Sequence, residues 1–375
     1  MTAPQILISA GEASSDMYAS RLACALRERT GARFFGMGGP GMAEAGVELL
    51  ADYHEVAVVG IAEVLRKIPS VVRIQNLLAR EAVRRKASLA ILVDSPGTHL
   101  GVARRLKRHP VPVGYFIGPQ IWAWRSGRVR IVRRRVARMV VIFPFEEKLY
   151  RDAGVPVDFV GHPLVDTVKP TMTRAEFLAR QGLDPQRPVV ALLPGSRVSE
   201  VTRNFPTILK ACEILDRERG SVGAPQFVHA AAPGTGSSAG AKVDVIRVEG
   251  SPYDVLASAD CAIVASGTAT VEAALLGTPM VVVYRVAPLT ALILRRMVHT
   301  KYFAMANLIA GRRVVPELMQ DDFTPVAVAA EVRRLLEDPT ARAEMKGDLA
   351  QVRASLGAGG AIERAADIFA AMLRA

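Results

Sequence analysis

What most constrains the fold of this chain is an alternation that runs through it twice. Apolar, β-branched runs at residues 5–10, 89–94, 111–116, 139–143 and 157–160 are separated by helical patterns at 16–29, 71–86, 99–108 and 126–135. Runs without polar alternation belong to parallel sheets that are covered on both faces. Strand character is lost over 162–188, which reads as a linker with one helix. The pattern then restarts, with strand runs at 189–193, 226–230, 243–248, 262–265 and 280–284 and helices at 201–217, 253–258 and 268–276. Two consecutive βαβ series predict two doubly wound α/β domains with ligands held at the carboxyl ends of their strands, in a cleft. The expected division is 1–165, a linker at 166–188, 189–340, and C-terminal helices at 341–375 that can pack back on the first domain. A chain of 375 residues suits two domains.

The chain carries a formal net charge of +12, and residues 101–140 hold eleven Arg or Lys with no Asp or Glu. A field so concentrated points to an anionic partner: a phosphorylated substrate, an acidic lipid surface or a nucleic acid. No nucleic-acid-binding signature accompanies it, so nucleic acid is not expected. Three scattered cysteines, Cys24, Cys212 and Cys261, make neither a disulfide framework nor a CxxC metal site and fit a reducing compartment. Mean hydropathy is +0.22, yet no apolar run reaches the roughly 18 residues of a spanning helix. The first residues carry no basic segment of the kind that opens a secretory signal.

Four strand ends can carry chemistry. In ISAGEASSD (8–16), Gly11 permits a tight turn, Ser14 or Ser15 can cap the following helix, and Glu12 and Asp16 sit at the strand's carboxyl end. For Asp16 a plain helix-start charge is an equally good reading. In ILVDSPG (91–97), Asp94 ends a wholly apolar strand, where apolar walls raise a carboxyl's pKa towards that of a general base. The competing reading makes Asp94 or Ser95 a helix cap. In ALLPGSRVSEV (191–201), Ser196 and Arg197 follow a turn, and an arginine there can clamp a diphosphate. In VASGTATVEAALLG (264–277), Ser266, Gly267 and Thr268 open a helix whose N–H groups can hold phosphate, and Glu272 lies one turn on, able to reach a ribose diol. GMGGPGM (36–42) is glycine-dense but matches no phosphate motif, and no metal-ligand spacing appears. His162, in VGHP, reads as a turn histidine rather than a catalytic one.

The motifs GEASSD, AVVGIAEVL, VDSPG, GPQIWAWRSGRV, FPFE, FVGHP, LLPGSR, SGTATVEAALLGTPMVVVYR, NLIAGR and PELMQ run in order from residue 8 to about 320. On them the chain closely resembles the lipid-A-disaccharide synthases, inverting glycosyltransferases of GT-B fold. The resemblance implies transfer of the sugar of UDP-2,3-diacylglucosamine to the 6-hydroxyl of 2,3-diacylglucosamine 1-phosphate, giving a β-1,6-linked disaccharide 1-phosphate and UDP. It implies no cofactor and no metal, and a cytoplasmic enzyme peripheral on the inner face of the inner membrane, with a homodimer left open. It puts Asp94 and Glu12 on the acceptor side and Arg197, Glu272 and Asn307 on the donor side. Three features depart from the family pattern: Ser15 where glycine is usual, Gly97-Thr98-His99 where DFN is usual, and the Gly/Ser-rich loop 232–241 in place of a helix. A UDP-sugar epimerase of the same build and a non-catalytic RNA- or membrane-binding protein are the alternatives.

Acylated substrates call for a lipid-facing surface. Val64, Leu65, Ile68, Val71 and Val72 recur at helical spacing with basic residues nearby, though Pro69 is expected to break or kink that helix. Together with Trp122 and Trp124 in the arginine-rich segment, they are the expected patch for an acidic membrane.

Overall fold

The structure is a computed structural model that describes residues 3–56, 61–119, 128–235, 242–287 and 300–374, the side chains of 61–66 and 128 excepted. The chain forms two compact units, Met1–Pro163 with Leu356–Ala375, and Leu164–Ser355. Each is a doubly wound parallel sheet with helices, so the chain holds the two such units expected of a GT-B build.

The first sheet contains β1 (Gln5–Ala10), β2 (Arg33–Gly38), β3 (Glu48–Asp52), β4 (Leu89–Val93), β5 (Val113–Phe116), β6 (Arg138–Val141) and β7 (Val157–Phe159). Their order is β3-β2-β1-β4-β5-β6-β7, all parallel. The all-apolar β4 is buried along its whole length, which only a central strand with both faces covered allows. The order reverses between β1 and β4, so the chain leaves these two neighbours in opposite directions and opens a crevice at their carboxyl ends. Two strands here are not among the runs read from the sequence: β2, RFFGMG, which opens on an arginine and carries two glycines, and β3, whose residues ELLAD are partly exposed at the sheet edge.

The second sheet contains β8 (Val189–Leu193), β9 (Gln226–Ala231), β10 (Val245–Glu249), β11 (Cys261–Ala265), β12 (Met280–Tyr284) and β13 (Glu317–Met319). Its order, β10-β9-β8-β11-β12-β13, places the reversal between β8 and β11.

Three expectations need correction. Residues 166–188 are not a linker but belong to the second unit. The buried Asp254 carboxylate accepts hydrogen bonds from Thr171 N–H (2.6 Å) and Oγ1 (2.8 Å) and from Met172 N–H (3.3 Å), and Arg174 pairs with Asp260 at 2.9 Å. The residues 341–375 do not act as one piece. The helix Pro339–Ser355 belongs to the second unit, where Arg353 donates to Leu275 O at 2.8 Å. The helix Ala361–Met372 belongs to the first, lying along Ala13–Thr30. It seats there because Gly114 on β5 leaves room for Phe369: a Cβ at 114 would stand 2.4 Å from the ring. Arg29 pairs with Glu363 and Asp367 across that contact, exposed ion pairs worth at most about 1 kcal/mol each. Finally, Pro69 does not end its helix, which runs unbroken over Ile61–Arg84. The proline is exposed, so the carbonyl it deprives of a partner can bond to water instead.

Candidate functional site

At the carboxyl end of β1 the chain turns through Gly11 into Glu12, the N-cap of the helix Ala13–Thr30. Ser15 is the third residue of that helix rather than its cap. Its hydroxyl accepts from Gly11 N–H (3.1 Å) and Glu12 N–H (3.0 Å), filling the turn where the family usually has glycine. Ser14 donates to Glu12 Oε1 at 2.6 Å, which fixes one carboxyl oxygen. Asp16 points elsewhere: it accepts from the N–H groups of Gly39 (2.6 Å), Gly41 (2.9 Å) and Met42 (3.3 Å). The glycine-dense loop 36–42 is thus an anion nest occupied by the protein's own carboxylate.

At the end of β4 lies Asp94, with Ser95 after it. Both are non-glycine residues in the left-handed region (φ 52° and 47°), a conformation that costs about 1–3 kcal/mol each. Gly11 makes room for this turn, since a Cβ there would stand 2.2 Å from Ser95 Oγ. Asp94 N–H donates to Phe116 O (3.0 Å), and Asp94 O accepts from Tyr115 Oη (2.5 Å) and His99 Nδ1 (2.7 Å). The Asp94 carboxyl is hydrogen-bonded to Glu12. Burial, and then the Glu12 charge, push its pKa up to about 7 against the pull of the Ser95 N–H. A carboxyl that titrates near neutral pH is matched to taking up a proton there, as a general base requires. Gly97 is exposed with open space around it, while Thr98 and His99 are buried.

In the second sheet, Pro194–Arg197 follow β8. Glu200, on the next helix turn, accepts from Ser196 N–H (3.0 Å) and Arg197 N–H (3.4 Å), and Tyr284 Oη lies 3.4 Å from its other oxygen. The Ser196 and Arg197 amides are therefore satisfied from within. What it presents outward is the Arg197 side chain, 59% exposed and 3.9 Å from Glu200. After β11, Gly267 adopts φ 147° and caps the helix Thr268–Leu276. Ser266 Oγ donates to Phe303 O at 3.1 Å. Glu272 lies 3.4 Å from Tyr253 Oη, and burial raises its pKa. Asn307 departs from the expectation of a ligand-facing group. It is fully buried, its Nδ2 donates to Val315 O (2.9 Å) and Glu317 (2.7 Å), and its Oδ1 accepts from Val314 and Val315 N–H. With both amide ends occupied, it shapes the 314–317 strand entry.

His162 is buried against the Phe143 ring, centroids 5.2 Å apart, and burial holds its pKa down to about 3. Ile68 and Val72, one helical turn apart, are exposed by 47% and 40%, and Val71 is half-buried. The side chains of Val64 and Leu65, and all of Trp122 and Trp124, lie outside the described residues. Further along the same helix a groove of about 920 Å³ is lined by Arg80, Arg104, Lys107, Arg108, Arg134 and Arg135, among others. Burial, then the nearby Arg104, lowers the Arg135 pKa. Among the described residues no cluster of three or more His, Cys, Asp or Glu could hold a metal ion, and no helix is long and apolar enough to cross a membrane.

Sequence reasoning gave no role to Tyr115, in a plain strand run, nor to Glu200 and Glu317, which lie inside the quoted motifs ALLPGSRVSEV and PELMQ and accept hydrogen bonds from neighbouring backbone N–H groups.

Comparison with known proteins bears on the family and on the fold. The lipid-A-disaccharide synthetase family profile matches residues 6–370. The lipid-A-disaccharide synthase of Geobacter sulfurreducens is 45% identical over 379 residues, covering 99% of this chain and 98% of that one. Among solved structures, a UDP-GlcNAc 2-epimerase from Neisseria meningitidis bound to UDP-GlcNAc superposes with a TM-score of 0.66 at 13% identity, over 97% of this chain and 99% of that one. The calicheamicin glycosyltransferase does so with a TM-score of 0.61 at 17% identity, over 100% and 99%. At such identities the superpositions establish the fold alone, whereas the sequence match settles the family. The chain belongs to the lipid-A-disaccharide synthases, glycosyltransferases of lipid A biosynthesis.

Proposed function

We propose that the protein transfers the sugar of UDP-2,3-diacylglucosamine, with inversion, to the 6-hydroxyl of 2,3-diacylglucosamine 1-phosphate. The observation that carries this reading is the hydrogen-bonded Asp94–Glu12 pair at the switch point of the first sheet. Ionised Asp94 takes the proton of the acceptor hydroxyl as its oxygen bonds to the anomeric carbon. The bond from that carbon to the UDP oxygen breaks on the opposite face, so the α-linked donor yields a β-linked product. Glu12, steadied by Ser14, orients the acceptor and keeps the Asp94 proton within the pair. Charge developing on the leaving diphosphate is met by Arg197 and by the N–H groups that open the helix Thr268–Leu276, which supply positive charge without a metal. Ser196, Ser266 and Gly267 shape that pocket, and Glu272 takes the ribose hydroxyls.

The exposed Ile68 and Val72, with the arginine groove beyond them, favour reversible attachment to an acidic membrane on the cytoplasmic side, where acylated substrates reside. UDP release from the diacylated donor, measured with and without acceptor, tests the reaction. Acceptor-dependent release with a β-1,6-linked product supports it, and acceptor-independent release or epimerised donor contradicts it. The membrane reading is checked by sedimentation with phosphatidylglycerol vesicles: the folded Ile68→Ser/Val72→Ser variant is expected to sediment less than the parent, and equal sedimentation contradicts it.

A further inference from the structure

We propose that Ser9, His99 and Tyr115 are positioning residues for the Asp94 carboxyl, locking the turn at the end of β4 in the conformation that holds it against Glu12. The proposal rests on the reading of Asp94 as the base.

Two left-handed non-glycine residues in succession persist only where surrounding structure over-determines them. Here the determinants come from three elements. The Asp94 carbonyl is turned into the interior, and an interior carbonyl must find donors. Tyr115, on the adjacent β5, supplies one from its hydroxyl at 2.5 Å. His99, from the first turns of the following helix, supplies the other from Nδ1 at 2.7 Å. A carbonyl oxygen only accepts, so Nδ1 carries the hydrogen. Burial pushes the His99 pKa down to about 4, so the ring is neutral and Nε2 must be an acceptor. The group facing Nε2, at 2.9 Å, is the hydroxyl of Ser9 on β1, which therefore donates. The hydrogen bonds run in one direction, from Ser9 to His99 to the Asp94 carbonyl. All three supporting side chains are fully buried. The clamp thus ties the two strands flanking the switch point, and the next strand out, to Asp94 at the end of β4.

The test is a double-mutant cycle on purified full-length protein with the donor and acceptor named above, comparing His99→Leu, His99→Asn, Tyr115→Phe and Asp94→Asn, singly and with Asp94→Asn combined with each of the others. His99→Leu and Tyr115→Phe are expected to lower kcat about tenfold with KM within about twofold, the loss of one buried hydrogen bond being worth roughly that factor. His99→Asn, whose side-chain N–H reaches the place of Nδ1–H, is expected to keep most of the turnover. In the Asp94→Asn background the same substitutions are expected to cost almost nothing more, because the carboxyl they position is gone. Losses that multiply in that background, or normal kcat in the folded single variants beside an impaired Asp94→Asn, overturn the proposal alone. Normal turnover of Asp94→Asn overturns the base reading and the proposal with it. Should His99→Leu fail to fold, Tyr115→Phe, which keeps the ring and removes one oxygen, completes the cycle.

Discussion

The two sheets reverse strand order at the same topological place, between β1 and β4 in one and between β8 and β11 in the other, yet they equip the place oppositely. The first switch point gathers negative groups. Glu12 and Asp94 touch, burial and mutual repulsion raise the Asp94 pKa, and strained backbone is tolerated to bring them together. The second presents Arg197 and a helix start, while the Glu200 carboxylate after β8 is turned inward onto the Ser196 and Arg197 amides. The same geometry therefore yields a proton-handling site in one unit and an anion-holding site in the other. The fold supplies the location, and a few side chains choose the chemistry.

Several experiments can break that division. The largest expected effect is on turnover. Asp94→Asn keeps the size of the side chain but cannot accept a proton, and kcat is expected to fall by ~10²–10⁴. If Glu12→Gln shows that loss and Asp94→Asn does not, the roles within the pair are reversed. A smaller effect is expected in the pH dependence. Asp94 must be ionised to act, so kcat/KM rises about tenfold per pH unit below its pKa of about 7 and levels above it. A limb confined to the ordinary carboxylate range contradicts the raised pKa. The smallest is on stability. A carboxyl whose folded pKa lies above its unfolded value stabilises the fold only while protonated, so stability declines as pH climbs from about 4 through about 7. Asp94→Asn escapes that decline and is expected to melt several degrees above the parent at pH 8, with no advantage near pH 4. An equal gain at both pH values points to another cause.

How far this was legible in the sequence varies by element. β4 and β8 are unbroken apolar runs, so their central place, and with it the importance of the residue after each, follows from pattern alone. Asp94 and Arg197 are readable for that reason. The clamp on Asp94 is not, because Ser9 and Tyr115 look like ordinary strand residues until β1 and β5 are placed on either side of β4. Glu200 reads as a helix-start charge, and only the fold reveals that it closes the Ser196–Arg197 turn. Asn307 misleads in the other direction, since a motif residue can be framework, and its saturated amide is visible only in three dimensions. Gly114 carries no local signal either, its partner Phe369 lying at the far end of the chain.

The division of labour is tested most directly by titrating UDP into the parent, Asp94→Asn and Arg197→Ala by calorimetry. The second switch point is assigned the nucleotide and the first only the proton. Asp94→Asn is therefore expected to bind UDP within about twofold of the parent, and Arg197→Ala at least about tenfold more weakly, as for loss of a charged hydrogen-bond partner. Parent-like UDP affinity in Arg197→Ala, or a loss of affinity in Asp94→Asn, would contradict the account.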